Sequence, residues 1–290
     1  MLTSLLENNQ TEEITIHILD NAISKEAKEI VQNLVKRKYG QKIFFYTLDN
    51  SVLKIFPSTN SYVSLTAYYK LFIPSILPSS VHKVLYLDCD IIVVNSLHKL
   101  WDYDLTNWAM AAIKDAHKNI DQDCERLGFD YEKDSYYNSG VMLLNLDFLR
   151  NTSFVQKSID FVAKHTEDLK YHDQDVLNGV LHGLILPLPY RYNLHDCLYH
   201  TKRYIDKKQI PLAEKELEPD KRVIIHFSSK RKPWDSRCLH PLRQLYFSYL
   251  DKTIWKGERL NISFKDTLWR WNRTIAGWLH WVNGYRKFQK

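Results

Sequence analysis

The sequence predicts an α/β fold on a mostly parallel sheet flanked by helices. Three observations predict it. Over the first two hundred of the 290 residues, short apolar runs alternate with amphipathic stretches, the pattern of β–α–β units. The run VLYLDCDIIVV, residues 84–94, is almost wholly apolar, as a strand covered on both faces requires. Ser24 stands as an N-cap before a stretch whose Ile30, Val31, Leu34 and Val35 share one helical face.

The elements follow in order. Residues 14–19 (ITIHIL) read as the first strand and residues 24–38 as the capped helix. Residues 42–48 (KIFFYTL) are the second strand. A helix over 64–71 ends before Pro74. Residues 84–94 give the third strand, 108–113 the fourth and 141–146 the fifth. Helices follow over 147–167 and 173–181, then strands over 184–188 and 222–227. Such a sheet gathers ligands at the carboxyl ends of its strands.

The chain divides at about residue 250. In the tail, residues 251–290, Phe264, Leu268, Trp271, Ile275, Trp278, Val282 and Tyr285 recur every three or four residues, one face of a helix. Trp269, Leu279 and Trp281 widen that face. Lys265, Arg270, Arg273, Arg286, Lys287 and Lys290 surround it, against one acid, Asp266. An apolar, tryptophan-bearing face with a basic rim suits the headgroup level of a membrane; the alternative is packing on the domain.

Composition narrows the function classes. A hydrophobic content of 44% supplies ample core. The net charge of +6 fits an anionic partner, and no nucleic-acid motif accompanies it. The four cysteines, Cys89, Cys124, Cys197 and Cys238, form no CxxC pair, which argues against cysteine-held zinc and for reduced thiols in a cytoplasm. No apolar run reaches the roughly 18 residues of a membrane span, and the first residues lack the layout of a signal peptide.

Asp88 and Asp90 interrupt the most apolar run. Residues i and i+2 of a strand share a face, and two carboxylates so placed repel unless a cation lies between them. Oxygen ligands in a D-x-D suit Mg²⁺ or Mn²⁺. The plain alternative is a loop head with two solvated carboxylates. A phosphoaspartate hydrolase would need threonine at position 92, which is Ile92. A sugar-nucleotide transferase fits better.

Three further stretches follow the D-x-D in order: YYNSGVMLLNLDFLR (136–150), YHDQDVLNGV (171–180) and IIHFSSKRKPW (224–234). With YLDCDIIVVNSLHKLW (86–101), they resemble the bacterial family 8 glycosyltransferases over residues 13–240. The nearest likeness is to the α-galactosyl- and α-glucosyltransferases of lipooligosaccharide and lipopolysaccharide assembly. The resemblance implies a Rossmann-like nucleotide-diphospho-sugar (GT-A) fold over residues 1–250. It also implies retaining transfer of galactose or glucose from UDP-galactose or UDP-glucose to a glycan or glycolipid acceptor. The expected location is the cytoplasmic face of the inner membrane.

The resemblance implies the site. Asp88, Asp90 and His226 would hold Mn²⁺ or Mg²⁺. Lys70, Cys89, Asn138, Ser139, Ser229 and Lys232 would join Asp88 around the donor. Asp173 would bind sugar hydroxyls, and Gln174 would lie near the anomeric carbon. Asp115 and Asp175 are weaker candidates for sugar contact. Each has a plainer reading: His226 as a packed strand residue, Lys232 as a surface lysine, NSG as a turn, Asp173 or Asp175 as a helix cap. The residues leave front-face and double-displacement routes both open.

Three departures from the family pattern stand out. Lys70 replaces the usual arginine and loses the bidentate fork. Ser229 replaces a glycine, where a side chain would crowd the diphosphate. The family's first strand, with its nucleotide loop, has no counterpart before LTSLLENN. That predicts weak donor binding and exposed apolar surface, and it keeps open a non-catalytic relative that binds membrane or a partner.

Overall fold

The computed structural model describes residues 1–47, 50–57, 65–200, 205–259, 262–279 and 285. β1 (Thr15–Asp20) and β2 (Lys42–Thr47) pair in parallel. Between them runs helix Lys25–Gln32, capped by Ser24, whose side chain accepts the Ala27 N–H. It continues as a wider turn over Asn33–Lys38. β3 (Lys83–Leu87), β5 (Met110–Lys114), β6 (Tyr137–Asn145) and β7 (Ile185–Leu188) form the central sheet in the order β3-β6-β5-β7. β4 (Ile91–Val93), β8 (Leu194–His195) and β9 (Ile224–His226) form a small sheet in the order β4-β9-β8.

The α/β class holds, and the pairing is more mixed than expected. The β1–β2, β5–β7 and β8–β9 ladders are parallel. β6 runs antiparallel to both β3 and β5, and β4 antiparallel to β9. A strand buried on both faces reads as an apolar run whichever way its neighbours point.

Two expected elements break. The run 84–94 is not one strand: β3 ends at Leu87, residues 89–90 turn, and β4 starts in the other sheet. The helix expected over 147–167 becomes Leu146–Asn151 and Phe154–His165, split at Ser153, whose φ is +54°. Residues 64 and 48, at the ends of two expected elements, lie outside the described residues. The stretch after residue 64 is a 3-10 helix, Leu65–Phe72.

The core follows the period of two. On β5 and β6, Ala111, Ile113, Val141 and Leu143 pack to one side of the sheet. Met110, Ala112, Met142 and Leu144 pack to the other. β6 is buried from Tyr137 to Leu144. By contrast, every residue of β3 is only half-buried. Among the described residues β3 pairs only with β6, and β1 only with β2. Both strands line one open cleft of about 2270 Å³.

The tail forms helix Phe264–Trp278, with Ser263 accepting the Asp266 N–H. One side packs on the domain through Asp266 and Trp269. The other leaves Phe264, Leu268, Trp271 and Ile275 exposed. Trp281, Val282, Arg286, Lys287 and Lys290 lie outside the described residues. Among the described residues no helix is long and apolar enough to cross a membrane.

Candidate functional site

The broken strand builds the site. Asp88 extends β3 by one rung, its N–H donating to Gly140 O at 2.9 Å. Asp90 belongs to the small sheet, its carbonyl accepting the Phe227 N–H at 3.0 Å. The two carboxylates therefore meet at the junction of two sheets, not on one face of a continuous strand. β9 delivers His226 opposite Ile91. His226 Nε2 lies 3.2 Å from Asp90 Oδ1 and 3.7 Å from Asp88 Oδ2. Each of the three offers one ligand atom, all within 4.8 Å of one another.

This donor set fits a divalent cation. Two hard oxygens and one imidazole suit Mn²⁺ or Mg²⁺. Asp90 Oδ1 is buried without a hydrogen-bond partner, as a carboxylate oxygen kept for a metal would be. The imidazole is oriented from behind: its Nδ1 lies 3.0 Å from Asn193 Oδ1 and donates to it, leaving Nε2 free to ligate. Asn193 Nδ2 donates to Asn138 Oδ1 at 2.8 Å, and Asn138 Nδ2 donates to Asp115 Oδ2 at 3.3 Å. Nothing in the sequence had singled out Asn193. Its only signal was an asparagine just ahead of a buried two-residue strand.

Cations flank the cluster. Lys232 Nζ donates to Asp90 Oδ2 at 2.5 Å and to Phe227 O at 2.8 Å. Lys70 is buried and reaches Asp173 at 2.8 Å and Asp88 at 3.3 Å, with Ser139 O at 3.2 Å. Burial alone would push the Lys70 pKa down, but Asp173 and Asp88 outweigh it and hold the ammonium charged. Burial likewise opposes ionisation of Asp90, and His226 with Lys232 keeps its carboxyl well below the usual range.

The helix Asp173–Leu181 carries the rest. Asp173 accepts the Ser139 hydroxyl at 2.9 Å. Gln174 Oε1 accepts the Ser139 N–H at 3.1 Å, and Gln174 Nε2 donates to Asp115 Oδ2 at 3.2 Å. His172, just ahead, holds φ +53°, a backbone conformation that non-glycine residues keep only when their surroundings impose it. Gly140 is required by contact: a Cβ there would lie 2.2 Å from His226 Cε1 and 3.0 Å from Asp88 Oδ2. So the glycine makes room for the His226 ring.

The cleft brings together every residue singled out from the sequence except Asp175. Cys89 is in its rim, at the turn between the aspartates. Ser229 is held by its backbone, the N–H donating to Asp196 Oδ2 at 2.9 Å. Asp175 is a correction. It is fully buried and accepts from Arg126, from Tyr136 Oη at 2.6 Å, and from the N–H groups of Lys170 and Tyr171. With both oxygens spent on the protein, it anchors the loop ahead of the helix and has nothing left for a sugar.

Sequence reasoning also missed His117. It bridges Asp115 Oδ1 at 3.0 Å and Asp123 Oδ2 at 2.7 Å. Burial pulls its pKa down, but the two carboxylates bring it up to about 9. Tyr86 donates to Asp88 Oδ1 at 2.7 Å and lies under Lys70 Nζ. Both are half-buried, His117 in a polar stretch after β5 and Tyr86 inside the apolar run of β3, so no pattern marks them.

An acidic pair and an imidazole where two sheets meet, with a lysine from a neighbouring helix and one from a following loop, suit an enzyme that handles an anionic, metal-bound donor such as a glycosyltransferase's. The family description Glycosyl transferase family 8 matches residues 1–238, and the chain belongs to that family. Among curated relatives, General stress protein A of Bacillus subtilis is 30% identical over 271 residues, spanning 88% of each protein. The lipopolysaccharide 1,2-glucosyltransferase of Escherichia coli is 31% identical, over 92% of this chain and 76% of its own. The crystal structure of galactosyltransferase LgtC with donor and acceptor sugar analogs superposes with a TM-score of 0.75. It is 25% identical and spans 87% of this chain and 90% of that one.

Proposed function

We propose that the chain is a retaining glycosyltransferase that moves galactose or glucose from its UDP form to a cell-surface glycan such as lipooligosaccharide or lipopolysaccharide. Mn²⁺, or Mg²⁺, is its cofactor. The observation that carries this reading is the convergence of Asp88, Asp90 and His226 on one cleft between Lys70 and Lys232. The Escherichia coli glucosyltransferase and LgtC support the sugar and the acceptor class.

The roles follow from chemistry. Asp88, Asp90 and His226 would hold the cation, which would supply Lewis-acid stabilisation of charge on the leaving diphosphate. Lys232 adds a fixed positive charge at the same place. Lys70 pairs with Asp88 and Asp173, and the Asp173 carboxylate is placed to accept from sugar hydroxyls. Asn138, Ser139, Cys89 and Ser229 shape the donor wall, and Asp115 faces the sugar through Gln174. The Gln174 amide oxygen already accepts from Ser139 N–H, and an amide is a weak nucleophile. That favours the front-face route over double displacement, which needs a nucleophile opposite the leaving group.

The tail supports a peripheral location at the cytoplasmic membrane surface. Phe264 and Trp271 are 78% and 71% exposed on one side of the helix, and Lys265, Arg270 and Arg273 belong to the same helix. That combination suits anionic lipid.

One observation favours a second reading. Among the described residues β1 and β3 each keep one unpaired edge, which leaves the wall beside the cluster open, as in a non-catalytic relative that binds membrane or a partner. UDP release from UDP-galactose and UDP-glucose with Mn²⁺ separates the two. The proposed enzyme releases UDP, and Asp90→Asn lowers the rate about a hundredfold. No release from either donor by the unaltered chain rejects the enzyme reading for these sugars.

A further inference from the structure

The tail meets the catalytic domain at three points, two on one segment and the third on Asp196 and His200 beside it. Asp266 accepts from Arg237 Nε at 2.6 Å and from Ser236 Oγ at 2.9 Å. The Trp269 ring carries the guanidinium groups of Arg231 and Arg237 at 5.8 and 5.4 Å. Tyr285 makes the third contact. Its hydroxyl donates to Asp196 Oδ1 at 2.7 Å, while Asp196 Oδ2 accepts the Ser229 N–H at 2.9 Å. The Tyr285 ring stacks on His200, with centroids 4.4 Å apart, and its backbone bridges His200 in antiparallel fashion.

The gripped segment, residues 228–237, is the one that leaves β9 after His226 and carries Ser229 and Lys232. It consists of turns and bends. A segment without a ladder or a helix of its own takes its position from the side chains that hold it. Here those side chains come from the domain, through Asp196 and through Arg243, whose guanidinium donates to Pro233 O and Asp235 O, and from the tail, which meets the segment at Arg231, Ser236 and Arg237.

We propose that the C-terminal tail is a strap that positions segment 228–237 for the donor diphosphate. Tyr285 is a positioning residue that acts through Asp196 on the Ser229 N–H. What the segment binds rests on the proposed function; the strap itself does not. Asp196 accepts at both oxygens at once, which fixes its rotamer. Without the Tyr285 hydroxyl, the Asp196 carboxylate keeps the Ser229 N–H as its one partner among the described residues, and with only the Asp196 N–H to Ser228 Oγ bond beside it the Ser229 backbone is held less firmly. Drift there moves Lys232 relative to Asp90 and lowers affinity for the diphosphate, leaving the groups at the anomeric carbon in place.

Tyr285→Phe in the full chain tests this, because it keeps the ring on His200 and removes only the hydroxyl. Amide hydrogen exchange, with no donor present, reads the strap directly. Exchange across residues 228–237 is expected to rise about tenfold, with β6 unchanged. In UDP release, donor KM is expected to rise roughly three- to tenfold, with kcat within about twofold. Asp266→Ala, which leaves Asp196 untouched, is expected to raise the same KM. Unchanged exchange in Tyr285→Phe overturns the strap. So does faster exchange with wild-type donor KM, or a joint fall of kcat and Tm with no change in KM. If the unaltered chain turns over neither donor, the proposed function fails and the exchange result alone decides the strap.

Discussion

Gly140→Ala is the smallest change that reaches the metal cluster. A Cβ at 140 would lie 2.2 Å from His226 Cε1 and 2.7 Å from Nδ1, whereas carbon atoms pack at about 3.5–4.0 Å. The ring must therefore retreat by more than ~1 Å. It cannot do so freely. β9 is paired on both sides, and Nδ1 is tied to Asn193. The retreat takes Nε2 away from Asp88 and Asp90. Overpacking of this kind costs about 1–3 kcal/mol of stability, and a ~1 Å misplacement of a reacting group costs on the order of a hundredfold in rate. The expected result is a folded protein with a slightly lower Tm. Its Mn²⁺-dependent UDP release falls about a hundredfold. The assay is a metal titration of UDP release alongside a thermal melt. Wild-type activity at wild-type metal concentrations would refute the claim that His226 is held in place by the absent side chain.

Three other outcomes are expected. Asp175→Asn removes one of the two buried carboxylates on Arg126, which keeps Asp123; it should destabilise the chain by about 1–3 kcal/mol in urea unfolding, while donor KM of the folded fraction stays unchanged. His117, with its pKa raised to about 9 by Asp115 and Asp123 against burial, contributes stability that is complete below pH 6.5 and disappears as the pH rises through 9. The Tm gap between the unaltered chain and His117→Gln should accordingly shrink between pH 7 and 10, from a difference worth up to ~3 kcal/mol; a constant gap would contradict the charged bridge. Trp271→Ser with Phe264→Ser should abolish sedimentation with anionic vesicles without changing UDP release in solution, and undiminished sedimentation would rule out this face as the membrane contact.

The element order was legible because each strand and helix has its own local pattern. β1, β2, β5, β7 and the helix Asp173–Leu181 lie within a residue or two of where their patterns put them. Strand direction was not legible, since β6 buries both faces and its apolar run is the same either way. The break at Asp88 was not legible either. The apolar run continues across it, and only the hydrogen bonds of Asp88 to Gly140 and of Phe227 to Asp90 show that it changes sheets. The candidate site was read from motifs, which single out residues expected to touch ligands. Residues that hold those residues carry no motif: Asn193 behind His226, Tyr86 beneath Lys70, and Asp196 behind Ser229 are ordinary in sequence. Asp175 shows the converse. It sits in a motif, but its neighbours Arg126 and Tyr136 take both its oxygens.

Asp88, Asp90 and His226 would hold a cation at the place where the donor diphosphate binds. Calorimetric titration of Mn²⁺ into the full chain, with and without UDP, measures it most directly. Binding is expected to tighten at least about tenfold with UDP, since cation and diphosphate would share one site, and to be lost in Asp90→Asn. Binding that is indifferent to UDP, or that survives Asp90→Asn unchanged, would place the cation elsewhere and contradict the account.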